Sequence, residues 1–270
     1  KYLGVPLYGD SWPYVTTDTM NGIMFAVGNE QMFMVYDLKQ GKLTYGGHPP
    51  AGMIWNSRSM MLDEATGLVY STDTSKDHNF KPGNEDHFFL SFDRRTNLFA
   101  RLGCKVPVNP VTGLTSCLRA YTERRNPEGF FWCFDYQGTM FKFFPDEERT
   151  ELVGVNWDKA GVYTTSISMS PRSRYLYYVL SAQGQSHQWG CPVIQYDTKT
   201  GKKKALAFLD PYYHDTYGYQ CGGTFGTELS DDGALLVVQM NGRFGPRIAG
   251  SCYNQVAIFA VHIPESERVE

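Results

Sequence analysis

Apolar residues along this chain come in short alternating runs and almost never at the three-and-four spacing of a helix face. The stretches VTTDTMNGIMFAV, MMLDEATGLVYST, SISMSPRSRYLYYV and GTELSDDGALLVV share one layout. A small or apolar segment leads into a polar turn, and an alternating run rich in β-branched and aromatic residues follows. CLRAYTERRNPEGFFWCF is the same unit with a longer turn. Alternation bounded by Gly, Asn, Asp and Ser predicts short strands joined by tight turns, and very little helix.

The turn residues Gly22, Gly67, Gly129, Arg174 and Gly233 are spaced by 45, 62, 45 and 59 residues, which makes five repeats. A second turn alternates with the first. In Asp37-Leu-Lys-Gln-Gly41 and Asp197-Thr-Lys-Thr-Gly201 an Asp is placed to cap the turn, and Gly four residues later supplies a positive φ. In FDRRTNLF, Asn97 stands where the Gly would be, and Asn tolerates the same conformation. The substitution follows geometry, so the Tyr-Asp-x-Lys-x-Gly-Lys string reads as the hairpin closing each repeat rather than as a site.

Repeats of about 54 residues, each with four short strands, are the signature of a β-propeller. The expected fold is all-β: one propeller domain over residues 1–270, with five four-stranded blades. The Tyr-Asp-x-Lys-Thr-Gly-Lys hairpin resembles those of the lactonase-like and quinoprotein-like propellers with degenerate repeats. That resemblance is one of repeat type over the whole chain and implies no activity. No recurring Trp-Asp dipeptide, kelch pattern or Asp-box is present. The fifth repeat ends before a fourth strand appears, and KYLGVPLYGD matches the outer-strand pattern of KALAFLDPYY. The N-terminal strand, Tyr2 to Leu7, is therefore expected to close the last blade beside Val256 to Val261. The alternative expectation is the C-terminal part of a six- or seven-bladed ring, since the chain starts at Lys1 without Met.

Composition adds constraints on partners. A net charge of −3 gives no broad basic field, so nucleic acid is not the expected partner. No stretch approaches the roughly 20 apolar residues that span a bilayer, so membrane insertion is not expected either. The six cysteines show no metal-ligand spacing. Cys104 and Cys117 flank one predicted loop as a candidate disulfide, with buried free thiols as the alternative; Cys133, inside FFWCF, is read as a buried thiol. An even cysteine count points toward an extracellular or periplasmic location, without support from any Asn-x-Ser/Thr sequon.

Candidate chemistry concentrates in the long segments 46–58, 72–87, 154–163, 181–190, 210–223 and 241–252, which a propeller gathers on one face. They and the adjoining strand ends carry aromatic platforms (Trp12, Tyr14, Trp55, Trp157, Trp189, Tyr212, Tyr213, Tyr217, Phe244) and cations (Arg58, Arg119, Arg243, Arg247). Aromatic faces stack on sugar C–H groups and guanidinium forks grip carboxylate or sulfate, so an acidic glycan is the expected ligand. Arg58 and Arg119 sit beside innermost strands and are expected to point into the channel. Were the face a polysaccharide lyase site, His187 or His214 would be the base, Arg243 the charge-stabilising cation and Tyr213 the acid. A glycosidase would need two carboxylates about 5 to 10 Å apart, drawn from Asp10, Asp135, Asp158, Asp210 and Asp215. No other cofactor is implied. Asp73, Asp77, Asn79, Asn84, Glu85 and Asp86 are oxygen groups that could hold Ca²⁺, without an EF-hand pattern. The alternative function is a non-catalytic scaffold that uses the same loops to bind a protein partner.

Overall fold

Strand after strand in this chain alternates between two packing partners, and that alternation builds the ring. The computed structural model describes residues 14–28, 30–74, 82–157, 161–182 and 184–268. Blade 1 holds β1 (Tyr14–Asp18), β2 (Ile23–Val27), β3 (Phe33–Asp37) and β4 (Lys42–Gly47). Blade 2 holds β5 (Met61–Asp63), β6 (Leu68–Thr72), β7 (Phe88–Asp93) and β8 (Leu98–Lys105). Blade 3 holds β9 (Leu118–Tyr121), β10 (Phe131–Asp135), β11 (Thr139–Phe144) and β12 (Arg149–Val155). Blade 4 holds β13 (Ser168–Met169), β14 (Tyr175–Val179), β15 (Pro192–Asp197) and β16 (Lys203–Phe208). Blade 5 holds β17 (Tyr219–Leu229), β18 (Leu235–Phe244) and β19 (Gln255–His262). Neighbouring strands are antiparallel and follow chain order in every blade. The fold is a five-bladed, all-β propeller. The segment Tyr2 to Leu7, expected to close blade 5, lies outside the described residues.

Both faces of the middle blades are buried, so their strands read as near-continuous apolar runs. In β10, Phe131 and Cys133 pack toward blade 2 with Met61 and Phe89, while Trp132 and Phe134 pack toward blade 4 with Leu176, Tyr178 and Tyr196. In β14, Leu176 and Tyr178 face blade 3, and Tyr177 and Val179 face blade 5 with Leu236, Val238 and Phe259. A one-residue slip in either strand would exchange its two sets of partners. Trp55, buried with Phe33 and Phe92 between blades 1 and 2, belongs to this packing and offers no platform to a ligand.

The turn chemistry follows the sequence. Gly41 N–H donates to Asp37 O at 2.8 Å and Gln40 N–H to Asp37 Oδ1 at 2.7 Å. Asp93 and Asp197 cap their turns in the same way, and Asn97 and Gly201 take the positive φ. In the fourth repeat the left-handed residue is Ser173, not Arg174. Blade 3 replaces the Asp turn with a 3₁₀ turn over Pro145–Glu147, closed by Glu148 at φ 45°.

Among the described residues an α-helix appears in one place, where a loop was expected: α1, Leu209–Tyr217. Pro211 sits in its first turn, where no intrahelical donor is needed. Gly218 ends it at φ 69°, its N–H bonding back to His214 O at 2.8 Å. Stacking of Tyr213 on Phe259 of β19, with centroids 3.8 Å apart, holds the helix to blade 5. No helix among the described residues is long and apolar enough to cross a membrane. All six cysteines are free and buried, so the Cys104–Cys117 bridge is not formed. Burial pushes the Cys104 thiol up to about 12, with the Glu148 carboxylate adding to the shift.

Candidate functional site

The innermost strands surround a channel whose mouth, on the long-loop face, opens into a cavity of about 600 Å³. Every blade contributes to it: Tyr14 from blade 1, Ser57 and Arg58 from the segment entering blade 2, Arg119 from β9, Tyr163 and Thr165 from the segment entering blade 4, and Thr224, Phe225 and Asn241 from blade 5. Ala182 and Tyr253 complete the wall.

Buried asparagines set the loops that carry these side chains. Asn56 accepts from Arg58 N–H at 3.0 Å and donates to Ser59 Oγ at 2.9 Å and to Leu118 O in the next blade at 2.5 Å. Asn156 does the same for the segment bearing Tyr163. Its amide donates to Thr164 Oγ1 at 2.9 Å and accepts from Val162 N–H at 2.8 Å, while Tyr178 Oη donates to Asn156 O at 2.6 Å. Both asparagines are fully buried, so an apolar replacement would leave several backbone groups without partners. Gly138, at φ 77°, keeps the neighbouring turn clear of Asn156 Oδ1.

Arg119 is the centre of the wall. Only 8% of it is exposed, and its contacts are neutral: Nε donates to Tyr163 Oη at 2.8 Å, and Nη1 to Arg58 O at 3.1 Å and Thr165 O at 3.5 Å. Its guanidinium lies 5.5 Å from the Tyr163 ring centroid and 5.7 Å from that of Tyr136. Among the described residues no carboxylate lies within ion-pairing distance of it, yet an arginine in this setting keeps its charge. Tyr14 and Tyr121 share a hydroxyl hydrogen bond of 2.9 Å, and Tyr121 Oη also accepts from Met60 N–H at 3.2 Å. Burial, with Tyr14 beside it, holds the Tyr121 hydroxyl well above the usual phenol range, so it stays a neutral donor and acceptor.

Of the residues expected at a binding face, Arg58, Arg119 and Tyr14 meet in this cavity. Trp157 is half-buried against the core between blades 3 and 4. Trp189, on a 3₁₀ turn over Ser186–Trp189, and Tyr217, at the end of α1, are exposed on the outer part of the same face. Trp12 lies outside the described residues. None of His187, His214, Tyr213 and Arg243 contributes to the cavity wall. His187 Nδ1 lies 3.8 Å from Cys252 Sγ, and His214 Nδ1 is 3.4 Å from Asp215. Tyr213 is stacked on Phe259, and Arg243 donates to Pro246 O at 3.4 Å.

The carboxylates proposed for hydrolysis are largely engaged elsewhere. Asp135 is fully buried and accepts from Gln137 N–H, Thr139 N–H and Thr139 Oγ1, each at 2.8 Å. Burial raises its pKa to about 7 against the pull of those bonds. Asp210 pairs with Arg247 and accepts from Cys221 N–H at 2.8 Å; Asp10 and Asp158 lie outside the described residues. Two of the oxygen groups considered for Ca²⁺, Asp73 and Asp86, pair with Arg101 at 3.1 Å and Lys105 at 2.8 Å. Asp77 and Asn79 lie outside the described residues, and among those described no cluster of His, Cys, Asp and Glu is arranged to hold a metal.

Tyr163, Thr165, Thr224, Phe225, Asn241 and Tyr253 are wall residues that the sequence did not single out. One signal was available: an Asn stands in three of the inter-blade segments, in IWNSRS, VNPVTG and VNWDK. No protein-family model matches the chain, and no curated protein matches it.

Proposed function

We propose that the protein binds an acidic saccharide at the channel mouth, with a carboxylate or sulfate held by Arg58 and Arg119 and a sugar ring bordered by Tyr14, Tyr163 and Tyr253. The observation that carries this reading is Arg119: a cation nine-tenths buried, hydrogen-bonded among the described residues to neutral groups, in the wall of an open cavity. Burying a charge without a counter-charge is costly, and an incoming anion would offset that cost. The cavity volume falls within the range of small-molecule sites, and its phenols, hydroxyls and amide match a ligand with many hydroxyls and one acidic group. The reading is of binding; the acid–base roles drawn for His187, His214, Tyr213 and Arg243 draw no support from this cavity. Acidic polysaccharides are mostly exterior polymers, so the extracellular or periplasmic placement goes with the same proposal.

A second reading, a face for a protein partner, is favoured by the exposed aromatics Trp189, Phe208, Tyr212, Tyr217 and Phe244 on blades 4 and 5. Retention on immobilised uronate and sulfated glycans separates the two. Arg58→Ala should lose most retention, while the paired substitution Tyr212→Ser with Tyr217→Ser should keep it. Full retention by Arg58→Ala, or no retention by the unaltered protein on any member of the panel, would refute the saccharide reading.

A further inference from the structure

The face opposite the channel mouth carries the tight turns, and there a second cavity of about 380 Å³ lies between blades 3 and 4. Its cationic wall is made by Lys142 of β11, Arg172 and Arg174 of the β13–β14 turn, and Lys199 of the β15–β16 turn. Lys142 is matched by Glu151 at 2.9 Å and Arg174 by Asp197 at 3.0 Å. Among the described residues neither Arg172 nor Lys199 has an ion pair, although Arg172 also borders a neighbouring cavity with Asp232 and Glu265. Glu128, exposed on the rim, is the one carboxylate in the wall, so positive charge is left over.

Lys199 differs from its equivalents in the other Asp-capped turns. It stands two residues after the capping Asp197, as Lys39 does after Asp37 and Arg95 after Asp93. Lys39 donates to Met20 O at 3.1 Å and lays its stem against Gly22. Arg95 binds Asp93 through Nε at 3.0 Å and Nη2 at 3.1 Å. Lys199 instead lines this cavity, and it makes no side-chain hydrogen bond among the described residues.

Trp132 is 3% exposed, and its indole Nε1–H finds no acceptor among the described residues. A buried donor left unmade costs about 1–3 kcal/mol, and such a group in a native fold calls for an unseen partner. Trp132 lies in the wall of this cavity beside Phe130, with the Lys142 ammonium 5.6 Å from its ring.

We propose that this cavity is a binding site for a tetrahedral oxyanion, sulfate or phosphate, carried as an ester by a small organic ligand. The cations stand on three separate elements, β11 and the β13–β14 and β15–β16 turns, which suits an anion with three or four acceptor oxygens better than a planar carboxylate. The cavity is larger than one such group, and Pro127 and Phe130 supply an apolar surface for the ligand's body. The site is on the other face from the channel mouth and does not rest on the reading given to Arg119.

The test follows the indole N–H resonance of Trp132, assigned by its loss in Trp132→Phe, in ¹⁵N-labelled protein at low ionic strength. The probes are phenyl sulfate, phenyl phosphate, inorganic sulfate and inorganic phosphate. A saturable shift of that resonance is expected with either ester. In the double variant Arg172→Ser/Lys199→Ser binding should be weaker by about tenfold or more, the loss of two charge-assisted contacts. Both residues are exposed on turns, so the fold is retained. Absence of a saturable shift with all four probes, or titration of the double variant like the unaltered protein, overturns the site. Inorganic anions binding as tightly as the esters would keep the oxyanion site and overturn the ester assignment.

Discussion

At the scale of single residues, the ring is held by buried polar groups whose partners are fixed by a few atoms. Asp135 is the clearest. Its carboxyl is fully buried and its pKa is raised to about 7, so the folded protein binds a proton that the unfolded chain releases near pH 4. Between those values the folded state holds more protons, and stability attributable to this group falls as pH rises. The stability lead of the unaltered protein over Asp135→Asn should therefore be greatest below pH 4 and shrink as pH passes through about 7. Thermal unfolding of both proteins across that window checks it; a lead that grows with pH would show that the carboxylate is stabilised as an anion. The sequence offered Asp135 as one carboxylate of a hydrolytic pair. That it would be so deeply buried was not legible, because burial depends on Asn109 and Thr139 closing over it.

Strands and turns were the most legible scale, and their exceptions have local causes. The five repeats and both turn types follow from alternation and from Gly or Asn at left-handed positions, which are properties of neighbouring residues alone. α1 escaped because LDPYYHDTY is built from poor helix formers; what makes it helical is the Gly218 cap and the contact of Tyr213 with Phe259, a residue far along the chain. The channel mouth was legible in Arg58, Arg119 and Tyr14, which sit beside recognisable strands, and illegible in Tyr163 and Tyr253, whose direction depends on loop closure. Strand β17 shows why CGGTF needs its glycines. A Cβ on Gly223 would stand 2.0 Å from Ala182 O, and the register of β17 against β18 shifts at this point. Gly223→Ala is expected to cost about 3 kcal/mol through backbone displacement. Gly226→Ala, whose Cβ would meet nothing nearer than 3.4 Å, should change stability by under about 1 kcal/mol. Urea denaturation of the two variants decides this, and equal stabilities would contradict the packing described.

At the scale of the whole molecule, arginines join blade to blade on both faces. On the turn face Arg94 reaches Asp18 of blade 1 at 3.0 Å, and Arg125 holds Asp63 of blade 2 and Asp146 of its own blade, each at 2.6 Å. On the long-loop face Arg119 joins the segments entering blades 2 and 4, and it differs from the others in having neutral partners. The proposed function rests on that difference: a cation held in place by three blades would meet an anion without rearrangement.

The most direct measurement is calorimetric titration of a uronate trisaccharide into the protein and into Arg119→Lys, a variant that keeps the charge and loses the fork, with thermal unfolding of each to confirm the ring. Saturable binding to the unaltered protein, weakened by about tenfold or more in Arg119→Lys and further by added salt, is the result predicted. Equal affinity of the two proteins, or no heat of binding to either, would contradict it.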